Sequence, residues 1–247
     1  MHATYSFHFL NTVSKQLIAE LDALTVSTLD AAALTKLAAD QVSANAHQGV
    51  YLLHVNGRPV YLGKAEDVHD RLRQHLRKLS GRRNVDLTQV GYKALLLDKS
   101  MSTAANETVL IALFRRDYQG MWNGSGFGPK DPGKQRDTTA PGRFDTDHPI
   151  RTDYPLATVG DSETVTALFR KMKSELPYVF RYELTAGAGR TPLELTGVPR
   201  TAEALLRAAM NAIAPGWQAA ILAYGMVVYN AQKNYGAQVI TIQSSGP

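Results

Sequence analysis

The stretch GVYLLHVNGRPVYLGKAEDVHDRLRQHL, residues 49–76, decides the fold of this chain. Two short apolar runs, residues 50–55 and 59–62, flank the dipeptide Asn56-Gly57, and each run contains one tyrosine. Asparagine and glycine readily adopt the positive φ that both central residues of a type I′ turn require. The stretch therefore predicts a β-hairpin that carries a tyrosine on each strand.

The sequence after the hairpin returns to a helical period. Residues 66–79 place apolar side chains along one stripe, formed by Val68, Leu72, Leu76 and Leu79, and Gly81 can end that helix. Residues 92–98 are typical of a buried strand, and residues 102–116 of a helix with Ser102 or Thr103 at its N-cap. The order β-β-α-β-α over residues 49–116 predicts an α+β fold, with a small sheet flanked by helices.

The flanking segments add helices and strands to this small unit. We expect two helices within residues 11–40, helices at 162–173 and 201–213, and strands at 178–184, 226–232 and 238–243. Residues 119–150 are rich in glycine and proline and predict a long loop. Because it contains Trp122, Phe127 and Phe144, we expect this loop to be functional rather than disordered.

Composition excludes several classes of protein. The chain has 247 residues, 44% of them hydrophobic and 20% charged, which suffices for a buried core. No apolar run reaches the length of a membrane span, and the first residues do not resemble a secretory signal. With no cysteine, disulfides, cysteine-ligated zinc and a thiol nucleophile are all excluded. We therefore expect a cytoplasmic protein without a membrane partner.

The distribution of charge points to a polyanionic partner. The chain has a formal net charge of +5. Residues 58–83 hold eight basic and three acidic residues, so this segment alone carries the same excess. A basic cluster of this kind is typical of nucleic-acid contacts, although a solvated helix face gives the same pattern.

Five side chains that can take part in catalysis lie on the predicted hairpin and helices. Tyr51 and Tyr61 lie on paired strands, and Arg71 and His75 are four residues apart on one helix face. Glu107 shares a face with the apolar residues Leu110, Ile111 and Phe114. Burial of a carboxylate on such a stripe is unfavourable unless the carboxylate is paired or binds a metal, so Glu107 is a candidate functional residue.

These residues and their spacing resemble the GIY-YIG endonucleases. Gly49-Val50-Tyr51 matches the first triplet of that family and Tyr61-Leu62-Gly63 the second. Arg71 matches the arginine on the following helix, and Glu107 matches the metal-binding glutamate on a later helix. The resemblance covers residues 47–125.

A narrower resemblance is to the type II restriction endonucleases of this superfamily, in particular the enzymes that cut CCGCGG. It rests on His75, one turn after Arg71, and on the segment WNGSGFGPKDPGKQRDTT. An asparagine after the glutamate belongs to the active site of that branch, and Asn123 is its best match here. The catalytic set implied is Tyr51, Tyr61, Arg71, His75, Glu107 and Asn123.

The resemblance implies a role for each residue. Glu107 would bind Mg²⁺ or Mn²⁺, Arg71 would contact the scissile phosphate, and Tyr51 would be the general base, with its phenolate favoured by Lys64, Arg71 or the metal. Tyr61 and His75 would orient the phosphate, the water or Tyr51. Asn123 would contact the phosphate or support the site.

The resemblance also implies double-stranded DNA as substrate, a homodimer, and a companion DNA methyltransferase. We expect one nuclease domain over residues 1–247, with a catalytic module at 47–125 and extensions at 1–46 and 126–247 for DNA recognition and dimerisation. Arg143 also lies in the glycine-rich loop and can reach a DNA groove. The predicted DNA contacts are Lys64, Arg77, Lys78, Arg82, Arg83, Lys130, Lys134 and Arg136.

Other functions stay open at this point. A homing, repair or structure-specific GIY-YIG nuclease would carry the same core residues, and so would a catalytically inactive DNA-binding relative. A metabolic enzyme has little support, because the glycines of GSGFGP do not follow a strand and open a helix as a dinucleotide-binding motif does.

Overall fold

The computed structural model describes residues 9–98, 107–128, 133–236 and 238–246. The chain divides into two compact units. The single nuclease domain expected over residues 1–247 stays a prediction. The first unit comprises Met1–Arg77 and Val85–Gly128, and the second comprises Lys78–Asn84 and Pro129–Pro247. The predicted catalytic module, residues 47–125, lies within the first unit apart from residues 78–84.

The first unit contains an antiparallel four-stranded sheet in the order β1-β4-β2-β3. The described part of this unit has the β-β-α-β-α order that the sequence predicts, and the α+β class is confirmed. Its elements are α1 (Phe9–Ala23), β1 (Ser27–Thr28), α2 (Ala31–Ala44), β2 (Gly49–Val55), β3 (Arg58–Ala65), α3 (Val68–Ser80), β4 (Val90–Leu96) and α4 (Glu107–Asp117). Residues 99–106, which hold the predicted N-cap of α4, are outside the described residues.

The β2–β3 hairpin turns at Asn56 and Gly57, whose φ angles of 51° and 74° confirm the predicted turn. Tyr51 pairs with Gly63, and Leu53 pairs with Tyr61. Because side chains alternate along a strand, both tyrosines lie on the same face of the sheet.

The opposite face of this sheet forms the apolar core of the first unit. Val50, Leu52 and Leu62 are buried there against side chains of α1 and α4. On α3, the stripe residues Val68 and Leu72 are fully buried. Burial of such side chains stabilises by about 1.5 to 3 kcal/mol each, so the strands and the helices that carry the candidate site are held by packing.

The second unit contains a second four-stranded sheet, in the order β10-β8-β9-β6, and the two-stranded pair β5-β7. Strand β6 runs parallel to β9, whereas β8 is antiparallel to both β9 and β10. Its elements are α5 (Arg143–Asp147), β5 (Ser162–Thr164), α6 (Val165–Glu175), β6 (Val179–Tyr182), α7 (Ala186–Arg190), β7 (Pro192–Glu194), α8 (Ala202–Ala212), β8 (Gln218–Leu222), β9 (Gly225–Tyr229) and β10 (Gln238–Gln243).

Buried carboxylates hold the predicted glycine-rich loop on the second unit. The loop contains a 3₁₀ helix, Gly133–Thr138, and α5. Asp145 is inaccessible to solvent. One of its carboxylate oxygens accepts a hydrogen bond from Arg82 Nη1 and the other accepts one from Arg136 Nη2. Asp137 accepts from Arg181 and from the Tyr229 hydroxyl. The described part of the loop is thus ordered by polar contacts that composition does not reveal.

In the part of the chain that the structure describes, no helix is both long enough and apolar enough to cross a membrane.

Candidate active site

Tyr51 and Tyr61 form the floor of the site. Their side chains are buried, with 1% and 9% of their surface exposed, and their ring centroids lie 6.2 Å apart. The Tyr51 ring lies over Gly63 on the neighbouring strand, where a β-carbon would approach the hydroxyl oxygen closer than 3.0 Å. The glycine of the second triplet is therefore needed to make room for the tyrosine of the first.

Helix α3 brings His75 to the tyrosines. The Tyr51 hydroxyl oxygen and His75 Nε2 are 2.8 Å apart, a hydrogen-bonding distance. The His75 ring centroid lies 5.5 Å from that of Tyr51 and 5.3 Å from that of Tyr61. The structure thus brings together three of the residues that the sequence selects, and Arg71, one helical turn earlier, is half-buried.

The protonation of Tyr51 differs from the sequence expectation. Burial raises the pKa of the Tyr51 phenol well above its usual range, the neighbouring Tyr61 and Glu107 raise it further, and Arg71 lowers it. Lys64 pairs with Val50 rather than with Tyr51, so its side chain leaves the sheet on the other face. Burial of Tyr51 therefore outweighs the effect of Arg71 and favours the neutral phenol over the phenolate.

Arg71 and Glu107 both act on the tyrosine pair. Burial raises the pKa of Tyr61 and Glu107 raises it further, whereas Arg71 and the hydrogen bond with Tyr51 lower it. Because the same two charges influence both phenols, the guanidinium group and the carboxylate lie within electrostatic range of them. Glu107 is exposed in the first turn of α4, so its carboxylate is accessible to a ligand.

The donors at this site fit a hard divalent cation. Such ions take oxygen ligands, keep several waters, and are often held by one or two carboxylates together with substrate phosphates. The exposed carboxylate of Glu107, within electrostatic range of the two phenols, meets that description. Among the described residues, Asp67, His69 and Asp70 also place potential ligand atoms within 4.8 Å of one another. Asp67 Oδ1, however, accepts a hydrogen bond from the Asp70 amide at the start of α3.

Asn123 lies against the edge of the catalytic sheet, which agrees with one of the two roles expected for it, support of the site. Its amide oxygen accepts from the Leu62 N–H at 3.0 Å, and its amide nitrogen donates to the Leu62 carbonyl at 2.7 Å. Strand β3 is at the edge of its sheet, so Asn123 supplies the partner that this edge lacks. Both ends of the amide are engaged with the backbone of Leu62, so Asn123 holds this strand edge.

Phe127 also belongs to this site, although the sequence places it only in a loop. Its ring is buried and stacks on His75, with 4.8 Å between centroids and 19° between planes. The same ring meets Tyr61 edge-on at 5.0 Å and Trp122 at 4.9 Å. The available signal was an aromatic residue inside a glycine-rich segment, which the sequence alone does not connect to the histidine.

Residues 56–173 match the family model of the Eco29kI GIY-YIG domain. The matched range includes Tyr61, Arg71, His75, Glu107 and Asn123, begins after Tyr51, and spans just under half of the chain. It supports a nuclease of the GIY-YIG restriction endonuclease type. No curated protein matches the chain.

The predicted DNA contacts are distributed unequally. In the first unit Arg77 is exposed and Lys64 is half-buried, and in the second unit Arg83 and Lys134 are exposed. Burial lowers the pKa of Lys78 to about 7, and the nearby Arg82 lowers it further. Lys130 lies outside the described residues.

Two of the predicted DNA contacts, Arg82 and Arg136, are bound to the buried carboxylate of Asp145. Arg82 is 4% exposed and donates to Asp145 and to the carbonyls of His148 and Ala223. Arg136 is bound to the other oxygen of Asp145 and lies over the ring of Tyr224. This placement argues against Arg82 as a phosphate contact, because its guanidinium group has no access to DNA.

Proposed function

We propose that the protein is a metal-dependent type II restriction endonuclease, which as a homodimer hydrolyses both strands of DNA at a short palindromic G/C-rich site such as CCGCGG. The observation that carries the proposal is the hydrogen bond between the Tyr51 hydroxyl and His75 Nε2, in a site where Arg71 and Glu107 act on both tyrosines. The match to the Eco29kI GIY-YIG domain supports the same function.

A neutral Tyr51 activates water by passing its own proton on. In the proposed reaction a water molecule gives one proton to the Tyr51 hydroxyl oxygen while Tyr51 gives its proton to His75 Nε2. The water oxygen bonds to phosphorus, and the bond from phosphorus to the 3′ oxygen breaks. The leaving oxygen takes a proton from solvent, and His75 later returns its proton to solvent. This relay removes the need for a lowered tyrosine pKa, which burial opposes.

Arg71 and Tyr61 stabilise the phosphate in this mechanism. The guanidinium group of Arg71 donates hydrogen bonds to the non-bridging oxygens as negative charge develops there. Tyr61 keeps its proton, since burial raises its pKa, and therefore acts as a neutral donor. Glu107 holds the divalent cation, which supplies charge stabilisation at the phosphate and the leaving oxygen when bound.

DNA binding uses the exposed cations. Arg77, Arg83 and Lys134 are exposed, and contacts from such residues to phosphates give affinity that falls with salt. Lys134 is paired with Glu183 on the surface, with the two charged groups 2.7 Å apart. Exposed pairs of this kind are worth at most about 1 kcal/mol, so DNA can displace Glu183. If Lys134→Ala keeps full discrimination between matched and mismatched duplexes, base readout lies elsewhere.

The homodimer follows from the reaction. One module cuts one strand, and a palindrome presents two equivalent strands related by a two-fold axis. Sedimentation of the protein alone and on a cognate duplex measures the stoichiometry. A monomer in solution that also binds the duplex as a single copy contradicts the dimer.

The first test is cleavage of a long DNA of known sequence with Mg²⁺ or Mn²⁺, using wild type, Glu107→Ala and Glu20→Ala. Glu20 is an exposed glutamate on α1 and serves as the matched control. We expect discrete fragments whose ends share a palindrome from wild type and Glu20→Ala, and none from Glu107→Ala. Nicks at branched structures instead indicate a structure-specific nuclease, and no cutting indicates an inactive relative.

The role of Arg71 is tested separately, with Arg71→Ala against Arg73→Ala, an exposed arginine on the same helix. Loss of a donor to the developing charge costs about 2.7 to 4 kcal/mol, or about 10²- to 10³-fold in rate. We expect that loss in single-turnover cleavage for Arg71→Ala only. A loss below about tenfold contradicts a direct phosphate contact.

A further inference from the structure

The segment 122–128 is fastened to the edge of the catalytic sheet. The Trp122 amide donates to the Val60 carbonyl at 2.6 Å, and the Asn123 amide pairs with the backbone of Leu62. Arg115 on α4, the helix that carries Glu107, donates to the Asn123 carbonyl. The segment therefore covers the edge of the sheet at β3 and is tied to both the tyrosine strand and the glutamate helix.

The end of this segment covers the tyrosine and histidine side chains. Phe127 stacks on one face of His75 and meets Tyr61 with its edge. Gly128 approaches Tyr61 so closely that a β-carbon there would lie 2.6 Å from the hydroxyl oxygen. Phe127 is 1% exposed, so the ring is enclosed by the groups it touches.

These contacts restrict the imidazole of His75. Its Nε2 meets the Tyr51 hydroxyl only while the ring keeps its present plane. Rotation of the ring about the bond to its β-carbon would bring an edge of the imidazole against Phe127 or Tyr61, whose ring centroids lie 4.8 Å and 5.3 Å from that of His75. Terminal torsions of this type are broad when unconstrained, so the neighbouring rings determine the orientation.

We infer that Phe127 is a positioning residue, which holds the imidazole of His75 in the plane where Nε2 accepts the proton of Tyr51. The inference rests on the proposed nuclease function and adds a residue to it. Phe127 touches neither the phosphate nor the water in this scheme, so it acts through the rings it contacts, of which His75 is the one it stacks on. A misplacement of about 1 Å at a reacting group can lower a rate by about 10²-fold.

The test is a double-mutant cycle in single-turnover cleavage, with Phe127→Leu, His75→Asn and the combination. We expect Phe127→Leu to lose about 10²-fold in rate, with DNA affinity unchanged. In the His75→Asn background the same substitution should lose less than about twofold, because the group it positions is gone. Equal losses in both backgrounds, no loss in either, or a loss explained by weaker DNA binding each overturn the inference.

Two controls separate this role from a general packing defect. Phe169→Leu removes a fully buried ring in the core of the second unit and should lower stability while leaving the cleavage rate unchanged. Phe127→Met fills the same space with a flexible side chain and serves if Phe127→Leu does not fold. It too should lower the rate only where His75 is present.

Imidazole ¹⁵N chemical shifts give a readout that does not depend on activity. In wild type we expect one tautomer of His75, with Nδ1 protonated and Nε2 accepting from Tyr51. In Phe127→Leu we expect a mixture of tautomers. An unchanged tautomer of His75 in the variant contradicts the inference even if the wild type cuts no DNA. If the ¹⁵N shifts change as expected but no DNA is cut, only the nuclease proposal is contradicted.

Discussion

Gly63 shows how a single residue shapes the site. The Tyr51 ring occupies the space above it, and a β-carbon would approach the phenol oxygen under 3.0 Å. Gly63→Ala must therefore displace Tyr51 from His75. We expect a loss of about 1 to 3 kcal/mol in the free energy of unfolding, as for other overpacked sites, together with a loss of cleavage. Urea denaturation and a single-turnover assay measure the two effects.

The matched control is Gly187→Ala on α7, where a β-carbon would meet nothing within 4 Å. Alanine is the better helix former by about 0.5 to 1 kcal/mol, so this variant should be as stable as wild type or more so, and fully active. If Gly63→Ala behaves like the control, the Tyr51 ring is not fixed by the strand beneath it.

Sequence reasoning finds those site residues whose geometry is local. Arg71 and His75 share a helix face because they are four apart, and the tyrosines face each other because of a short turn. The protonation of Tyr51 was not predictable, since burial from several elements outweighs the nearby arginine. Neither was Phe127, whose contacts with residues more than fifty positions earlier depend on the course of the whole loop.

At the scale of elements too, the sequence predicts structure that local signals encode and misses structure that depends on distant contacts. The β2–β3 hairpin is encoded by Asn56-Gly57 and was predicted. Strand β8, Gln218–Leu222, was missed because its two alanines favour helix, whereas all five of its residues are buried in the sheet. The predicted helix at 162–173 begins only at Val165, because Thr164 caps it and Ser162–Thr164 pairs with β7.

The variant Asn123→Ala tests whether the edge strand β3 depends on the Asn123 amide. Asn123→Ala removes both side-chain hydrogen bonds to Leu62 and leaves a buried N–H and C=O without that partner. Such unsatisfied groups cost about 1 to 3 kcal/mol each. We expect a lower urea midpoint and reduced cleavage, since Tyr61 and Gly63 flank the residue that loses its partner.

Asn211→Ala is the control for Asn123, because Asn211 is exposed on α8. It should change the free energy of unfolding by less than about 0.5 kcal/mol. Equal stability of the two variants shows that β3 does not depend on the Asn123 amide.

At the scale of the whole molecule, the second unit combines an apolar core with a buried cluster of ion pairs. The described part of the second unit contains a buried carboxylate, Asp145, which bridges Arg82 and Arg136. Asp145→Asn leaves Arg82 buried beside a neutral amide, and the loss of one partner of a buried pair costs about 3 to 5 kcal/mol. Trp217 reports on this unit, because the chain has two tryptophans and Trp122→Phe removes the other.

We expect Asp145→Asn to lower the urea midpoint of the Trp217 signal. Asp147→Asn is the matched control, since its partner Arg143 is 77% exposed, and an exposed pair contributes at most about 1 kcal/mol. Similar midpoints for the two variants contradict a stabilising role for the buried pair.

Alkaline pH tests the burial of tyrosines in both units. Burial raises the pKa of Tyr224 to about 12, and it raises the pKa values of Tyr51 and Tyr178 further. An unfolded tyrosine has a pKa of about 10. Above about pH 10 the unfolded chain therefore binds fewer protons than the folded protein, and stability falls as pH rises.

The stabilisation from these tyrosines is complete below about pH 10 and is lost as pH rises toward the folded pKa values, about 12 for Tyr224. Because the folded state keeps its phenols neutral, we expect tyrosinate absorbance to appear together with the loss of circular dichroism, in one transition. Tyr178→Phe, which removes the hydroxyl that donates to the Arg151 carbonyl, should reduce the slope of stability against pH. Gradual tyrosinate formation in a protein that stays folded would mean that these phenols are accessible to water.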